Sequence, residues 1–120
     1  MQMTADIVYL ASPYTHPDPA VRLDRFDAVT KAAADLIGQG LIVYSPITMT
    51  HPIDVVMAGA NNTLGSDYWV AFDEAFMAAC SEMRVLMLDG WEKSSGIRRE
   101  IEFFTASNKP VTYMTHPDPR

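Results

Sequence analysis

The chain has 120 residues, 48% hydrophobic and 20% charged, with eight Pro and six Gly, the make-up of one globular domain around one core. Fifteen Asp and Glu against nine Lys and Arg leave a net charge of −6, so there is no basic footprint of the kind that recruits nucleic acid or an acidic membrane surface. A single cysteine, Cys80, excludes an internal disulfide, and Met1 to Asp6 lacks the basic and apolar regions of a signal peptide; the expectation is a cytoplasmic protein that binds a small molecule.

Ile7 to Ala11 is a continuous apolar run of strand length, stopped by Ser12 and Pro13, as suits a central strand buried on both faces. After the proline-rich turn Pro13 to Pro19, Asp18 is placed to cap a helix and Pro19 to occupy its first turn. Phe26, Val29, Ala33, Leu36 and Ile37 then recur at helical spacing until Gly38 and Gly40. Leu41 to Tyr44 is the next apolar strand, closed by Pro46. Pro46 to Gly65 shows no long period, and a structureless connection of that length is unusual in a compact domain. The segment is therefore expected to serve as a lid over a site and to hide a short helix around Ile53 to Met57.

Ser66 or Asp67 is placed to cap a helix that carries Trp69, Phe72, Phe76 and Cys80 on one face. Val85 to Leu88 reads as a strand, Asp89 to Ser95 as a loop, and Gly96 to about Ser107 as a helix with Ile97, Ile101 and Phe104 inward; Val111 to Met114 is the last strand. One domain over 1–115 with a loose tail at 116–120 is expected. The pentapeptide Thr-His-Pro-Asp-Pro occurs at Thr15 to Pro19 and again at Thr115 to Pro119, but without flanking similarity it marks no structural repeat.

Strands alternate with helices, which implies right-handed crossovers and a parallel sheet covered on both faces: a small doubly wound α/β domain, Rossmann-like or flavodoxin-like. Such sheets bind ligands at the carboxyl ends of their strands, here Ser12-Pro13-Tyr14, Ser45-Pro46 and the Asp89 to Ser95 loop.

Several familiar chemistries are missing. No Gly-x-Gly-x-x-Gly follows a strand, Gly90 to Gly96 lacks the Lys-Ser/Thr ending of a phosphate-binding loop, and no Gly-x-Ser-x-Gly elbow is present. His16, His51 and His116 are scattered and the cysteine is single, so neither a metal nor another cofactor is expected. Cys80, on the apolar arc of its helix, reads as a core thiol.

Two carboxylates stand out instead. At about 100° per residue, Asp73 falls inside the arc of Trp69, Phe76 and Cys80, and Glu100 lies near the edge of the Ile97, Ile101 and Phe104 arc. A core-facing carboxylate loses solvation, which a charged partner, hydrogen bonds or a raised pKa must offset. Two of them beside one crevice suit acid/base or nucleophilic work; the plainer reading is that such an acid caps a neighbouring loop or pairs with Arg22, Arg25 or Arg84. Ser94, Ser95 and Gly96 sit where the last helix starts, so free N–H groups and the positive dipole end offer an anion site, although a serine there also serves as a simple cap.

This arrangement resembles the nucleoside 2-deoxyribosyltransferase superfamily, which includes the nucleoside 5′-monophosphate N-glycosidases, and in particular its DUF1937 branch. The matching pieces are Tyr9-Leu10-Ala11-Ser12-Pro13-Tyr14, Ser45-Pro46 with Thr50-His51-Pro52, Asp73, and Gly90-Trp91-Glu92-Lys93-Ser94-Ser95-Gly96 followed by Glu100. The resemblance implies that Glu100 is a nucleophile for the anomeric carbon of a sugar, that Asp73 assists protonation of the departing base and that Tyr9 orients the nucleophile. The residue six positions before that nucleophile is an Asp in the transferases, where it meets the sugar hydroxyl, and a Ser in the monophosphate hydrolases, where it meets phosphate; here it is Ser94.

The implied activity is hydrolysis of a (deoxy)nucleoside 5′-monophosphate to free base and sugar phosphate. Ser12, Pro13, Tyr14, His51, Trp91, Ser94, Ser95 and Gly96 are the expected substrate-binding residues. The first loop, Ala11 to His16, lacks the Arg and glycines with which the glycosidases embrace phosphate, leaving that role to His16, His51 or Arg22. Tyr14 and Trp91 are placed either to stack on a base or to pack. The resemblance also implies a homo-oligomer, dimer or tetramer, with a small-molecule nucleotide as ligand and neither nucleic acid nor membrane as partner. The alternatives are a deoxyribosyltransferase and a non-catalytic nucleotide-sensing module.

Overall fold

A computed structural model describes residues 6–60 and 64–115; the expected tail at 116–120, with His116, lies outside the described residues. Strand β1 (Ile7–Ala11) occupies an inner position of a four-stranded, all-parallel sheet in which β2 (Ile42–Tyr44), β1, β3 (Glu82–Met87) and β4 (Val111–Thr115) lie side by side. Tyr9 sits opposite Tyr44 on one side and Met83 on the other. With strand neighbours on both edges and helices on both faces, β1 has no polar exit, which is why its residues are almost wholly hydrocarbon.

Among the described residues, four α-helices connect the strands. Helix α1 (Pro19–Gly38) begins as expected, with the Asp18 side chain accepting from the Ala20 N–H at 2.9 Å and Pro19 in the first turn. Val29, Ala32, Ala33 and Leu36 are its buried residues, whereas Ile37, expected inward, is 55% exposed in the last turn. Helix α4 (Ser95–Ala106) is strongly amphipathic and buries Ile97, Glu100 and Phe104.

The middle of the chain differs most from the sequence reading. The segment after β2 is helix α2 (Pro46–Gly59), which starts directly at Pro46 rather than near Ile53. Its apolar residues occur on all sides and Pro52 lies inside it, so neither a clean period nor an uninterrupted ladder announces it. It is anchored by hydroxyls: Thr48 Oγ1 lies 2.8 Å from Thr30 Oγ1 of α1 and 2.7 Å from Ser45 Oγ, and the Thr50 hydroxyl donates to the Pro46 carbonyl. Helix α3 (Ser66–Ala79) starts after Gly65 with no side-chain cap, so neither Ser66 nor Asp67 caps it, and Cys80 is the buried residue that closes it.

Strand alternation assigns each face. Leu10 and Leu86 pack with Val29, Ala32, Ala33 and Leu36 of α1. Tyr9, Ala11, Met83 and Val85 pack on the opposite face with Met77 of α3 and with Ile97 and Phe104 of α4. The protein is a Rossmann-like doubly wound α/β domain, and no helix among the described residues is long and apolar enough to cross a membrane.

Candidate functional site

Tyr9 points from β1 into the α4 face and is fully buried, yet its ring carries a hydroxyl that needs a partner. It finds one in Glu100: the Tyr9 hydroxyl donates to Glu100 Oε2 at 2.8 Å. Glu100 reaches this position because α4 turns it toward the sheet beside Ile97 and Phe104, leaving the residue 8% exposed. Burial pushes the Glu100 carboxyl up to about 7; the Tyr9 hydrogen bond opposes that rise, the nearby Asp73 charge adds to it, and Arg99 draws it down. Burial also holds Tyr9 far above its ordinary value, with the Glu100 and Asp73 charges adding to the effect, so it remains a donor throughout the physiological range.

Asp73 approaches from α3. Its carboxyl is raised to about 6, chiefly by burial, against the lowering influence of Arg99. The same carboxylate, after burial itself, contributes to lifting Tyr44 to about 12. Arg22, Arg25 and Arg84 do not neutralise either acid. Arg84 pairs with Glu82 at 3.2 Å, Arg22 donates to the His16 carbonyl, and Arg25 donates to the Thr15 and Asp89 carbonyls at 3.2 and 3.1 Å. The plainer reading of the two carboxylates as ordinary ion-pair partners of those arginines therefore does not hold.

Both acids line one cavity of about 860 Å³ at the carboxyl ends of the strands, a volume in the range of small-molecule sites. Ser12, Pro13 and Tyr14 line it from the β1 loop, and Ser94, Ser95 and Gly96 from the start of α4. Ser94 does cap that helix, its Oγ accepting from the Ile97 N–H at 3.2 Å, so the simple capping role is real and coexists with a place on the cavity wall. The N–H groups of Ser95 and Gly96 open the helix and carry no intrahelical bond, as at any helix start. Ser12 Oγ is buried without a hydrogen-bond partner, an arrangement that costs about 1–3 kcal/mol unless a ligand supplies one.

The loops flanking this mouth are tied together by Arg25, whose two donated bonds join the segment after β1 to the turn after β3. Gly90 in that turn has φ +88°, and a Cβ there would stand 3.1 Å from Arg25 Nη2. Glycine thus answers both the left-handed backbone and the approach of the guanidinium.

Two expected binding residues are not brought to the cavity. His51 turns away, its Nδ1 lying 2.6 Å from the Tyr14 hydroxyl and its ring stacked on Phe26 at 4.4 Å. Trp91 packs against Tyr113 and lines a separate, smaller depression of about 310 Å³ on the outer side of α4. Tyr14 does line the main cavity, with His51 fixing its hydroxyl.

The sequence reading missed Arg99 and passed over Trp69 as a wall residue; both line the cavity. Arg99 sits one residue before Glu100 and falls outside the apolar arc of α4, so its role is legible only once α3 stands beside that helix.

The profile of one protein family, described as a domain of unknown function, DUF1937, matches residues 6–116, and the chain belongs to that family. No curated protein matches the chain.

Proposed function

We propose that this DUF1937 protein hydrolyses the N-glycosidic bond of a (deoxy)nucleoside 5′-monophosphate, releasing free base and sugar 5-phosphate. The observation that carries the reading is that Glu100, which accepts a hydrogen bond from the buried Tyr9 hydroxyl at 2.8 Å, lines the same cavity as Asp73, a second acid in a different environment. Glu100 attacks the anomeric carbon; the C–N bond breaks, its electron pair passes to the base nitrogen, and Asp73 supplies the proton that makes the base a neutral leaving group. Water then attacks the same carbon, gives its proton to Asp73 and frees the Glu100 carboxylate. Tyr9 holds the attacking oxygen pair in place and remains protonated. The start of α4 with Ser94 takes the phosphate, assisted by the Ser12 hydroxyl and the Arg22 and Lys93 side chains on the cavity wall.

The reaction needs Glu100 ionised and Asp73 protonated. With Glu100 at about 7 and Asp73 at about 6, that form is the minor one of the two singly protonated states. Base release is therefore bell-shaped in pH: it falls below about 6 as Glu100 is protonated and above about 7 as Asp73 ionises, with its maximum between.

The test is chromatographic detection of free base from a panel of nucleoside and deoxynucleoside monophosphates, with Glu100→Ala beside the wild type. Release lost by about a thousandfold or more in a folded variant supports the reading; undiminished release removes it. Faster transfer of the sugar to an added base than to water would make the protein a transferase, and tight nucleotide binding with no release would make it a sensing module.

The reading includes self-association through the outer sides of α2 and α3, where Val55, Val56 and Tyr68 stand 58, 71 and 47% exposed. Light scattering giving twice the chain mass or more supports that part, and a monomer at micromolar concentration removes it.

A further inference from the structure

Among the described residues, two buried side-chain polar atoms have no hydrogen-bond partner: Ser12 Oγ and Arg99 Nε. Both residues line the main cavity. Arg99 is the more telling, because an arginine drawn into a protein wall is ordinarily neutralised by a carboxylate or fully hydrogen-bonded. Neither holds here. Asp73 and Glu100 feel its charge, but neither comes within ion-pair distance, and no acceptor in the described residues takes its Nε. Its Nε–H thus stands near the acid pair without an acceptor among the described residues.

Which part of a ligand it meets follows from its neighbours, and this step rests on the hydrolytic reading above. Asp73 is the acid that protonates the departing base, so the base lies on the Asp73 side of the sugar. The Arg99 charge acts on Asp73 as well as on Glu100, and Trp69 and Val70, on the same helix as Asp73, line the same cavity. A guanidinium offers five donors and no acceptor. It matches a base edge that presents adjacent acceptors and opposes one that presents an amino group at the same place. On a 6-oxopurine, O6 and N7 lie side by side: an acid at N7 and a guanidinium at O6 are complementary to that edge. On a 6-aminopurine, the exocyclic N–H groups would face N–H donors.

We infer that Arg99 reads the leaving base and that the protein selects 6-oxopurine nucleotides over their 6-amino counterparts. Hydrolysis of the bond and choice of the base are separable properties, and the experiment keeps them apart. Inosine and adenosine 5′-monophosphates, which differ at the 6-substituent and the adjoining N1 proton, are compared with their 2′-deoxy forms in two assays. Base release is measured with active protein, and binding by calorimetry with Glu100→Gln, which retains the cavity and lacks the nucleophile.

The expected result is a preference for the oxo base of roughly tenfold or more in both assays. Arg99→Lys, which keeps only donors, retains the direction of that preference. Arg99→Gln, whose amide both donates and accepts, reduces the ratio to near one. Release of base with equal use of the oxo and amino substrates overturns the Arg99 inference and leaves hydrolysis standing. Oxo-selective binding that Arg99→Gln erases, with no release by the active protein, sustains Arg99 as the base reader and overturns hydrolysis. A preference that survives unchanged in folded Arg99→Gln also overturns the inference.

Discussion

The two faces of the sheet are built by the same rules and end in opposite chemistry. On the α1 face, Leu10, Val29, Ala33, Leu36 and Leu86 meet as hydrocarbon, with no ionisable group among them. On the α4 face, Tyr9, Val85, Ile97 and Phe104 make an equally tight cluster, but it has Glu100 set into its edge and Asp73 close enough to act on it electrostatically. Adjacent residues of β1, Tyr9 and Leu10, divide the two. The contrast bears on the proposed function: the core residues on the Leu10 side are hydrocarbon alone, whereas the Tyr9 side holds an acid in surroundings that oppose its charge.

The largest expected effect sharpens the contrast from the hydrocarbon side. Leu36→Ala leaves a cavity in hydrocarbon and costs about 2–5 kcal/mol of stability in a denaturant titration, with no change in the turnover of the protein that remains folded. Loss of turnover per folded molecule would mean that the α1 face also shapes the site.

On the α4 face the signs reverse. Glu100 titrates near 7 in the fold against an ordinary 4.5, so its contribution to stability is fully present below about 4.5 and is lost as pH rises through about 7. That shift corresponds to about 3 kcal/mol. Glu100→Gln removes the ionised state, so near pH 8 the variant is expected to be more stable than the wild type by up to that amount, and near pH 4 the difference should vanish. Equal pH dependence of melting in the two proteins would show that Glu100 ionises without penalty.

How far the sequence carried the reading follows the same division. Central apolar strands, the α1 start at Asp18 and Pro19, and the inward placing of Asp73 and Glu100 were all legible, because each is a local pattern with a period or a cap. Helix α2 was not, since its apolar residues surround it and Pro52 interrupts it. His51 and Trp91 stand outside the main cavity for a different reason. Spacing gives a residue's element, but which neighbour claims its ring is a tertiary matter, and here Tyr14 with Phe26 claims one and Tyr113 the other. Arg99 was overlooked because an arginine outside the apolar arc of an amphipathic helix reads as solvated until a second helix stands beside it.

The most direct test of the central claim, that Tyr9, Asp73 and Glu100 form one reacting centre with Glu100 as nucleophile, is acid quenching during turnover of a nucleoside monophosphate followed by peptide mass mapping. The account predicts one sugar phosphate attached to the peptide carrying Glu100, with both the adduct and base release absent from Glu100→Gln. A sugar phosphate carried by another residue, or base release at the wild-type rate from Glu100→Gln, would contradict it.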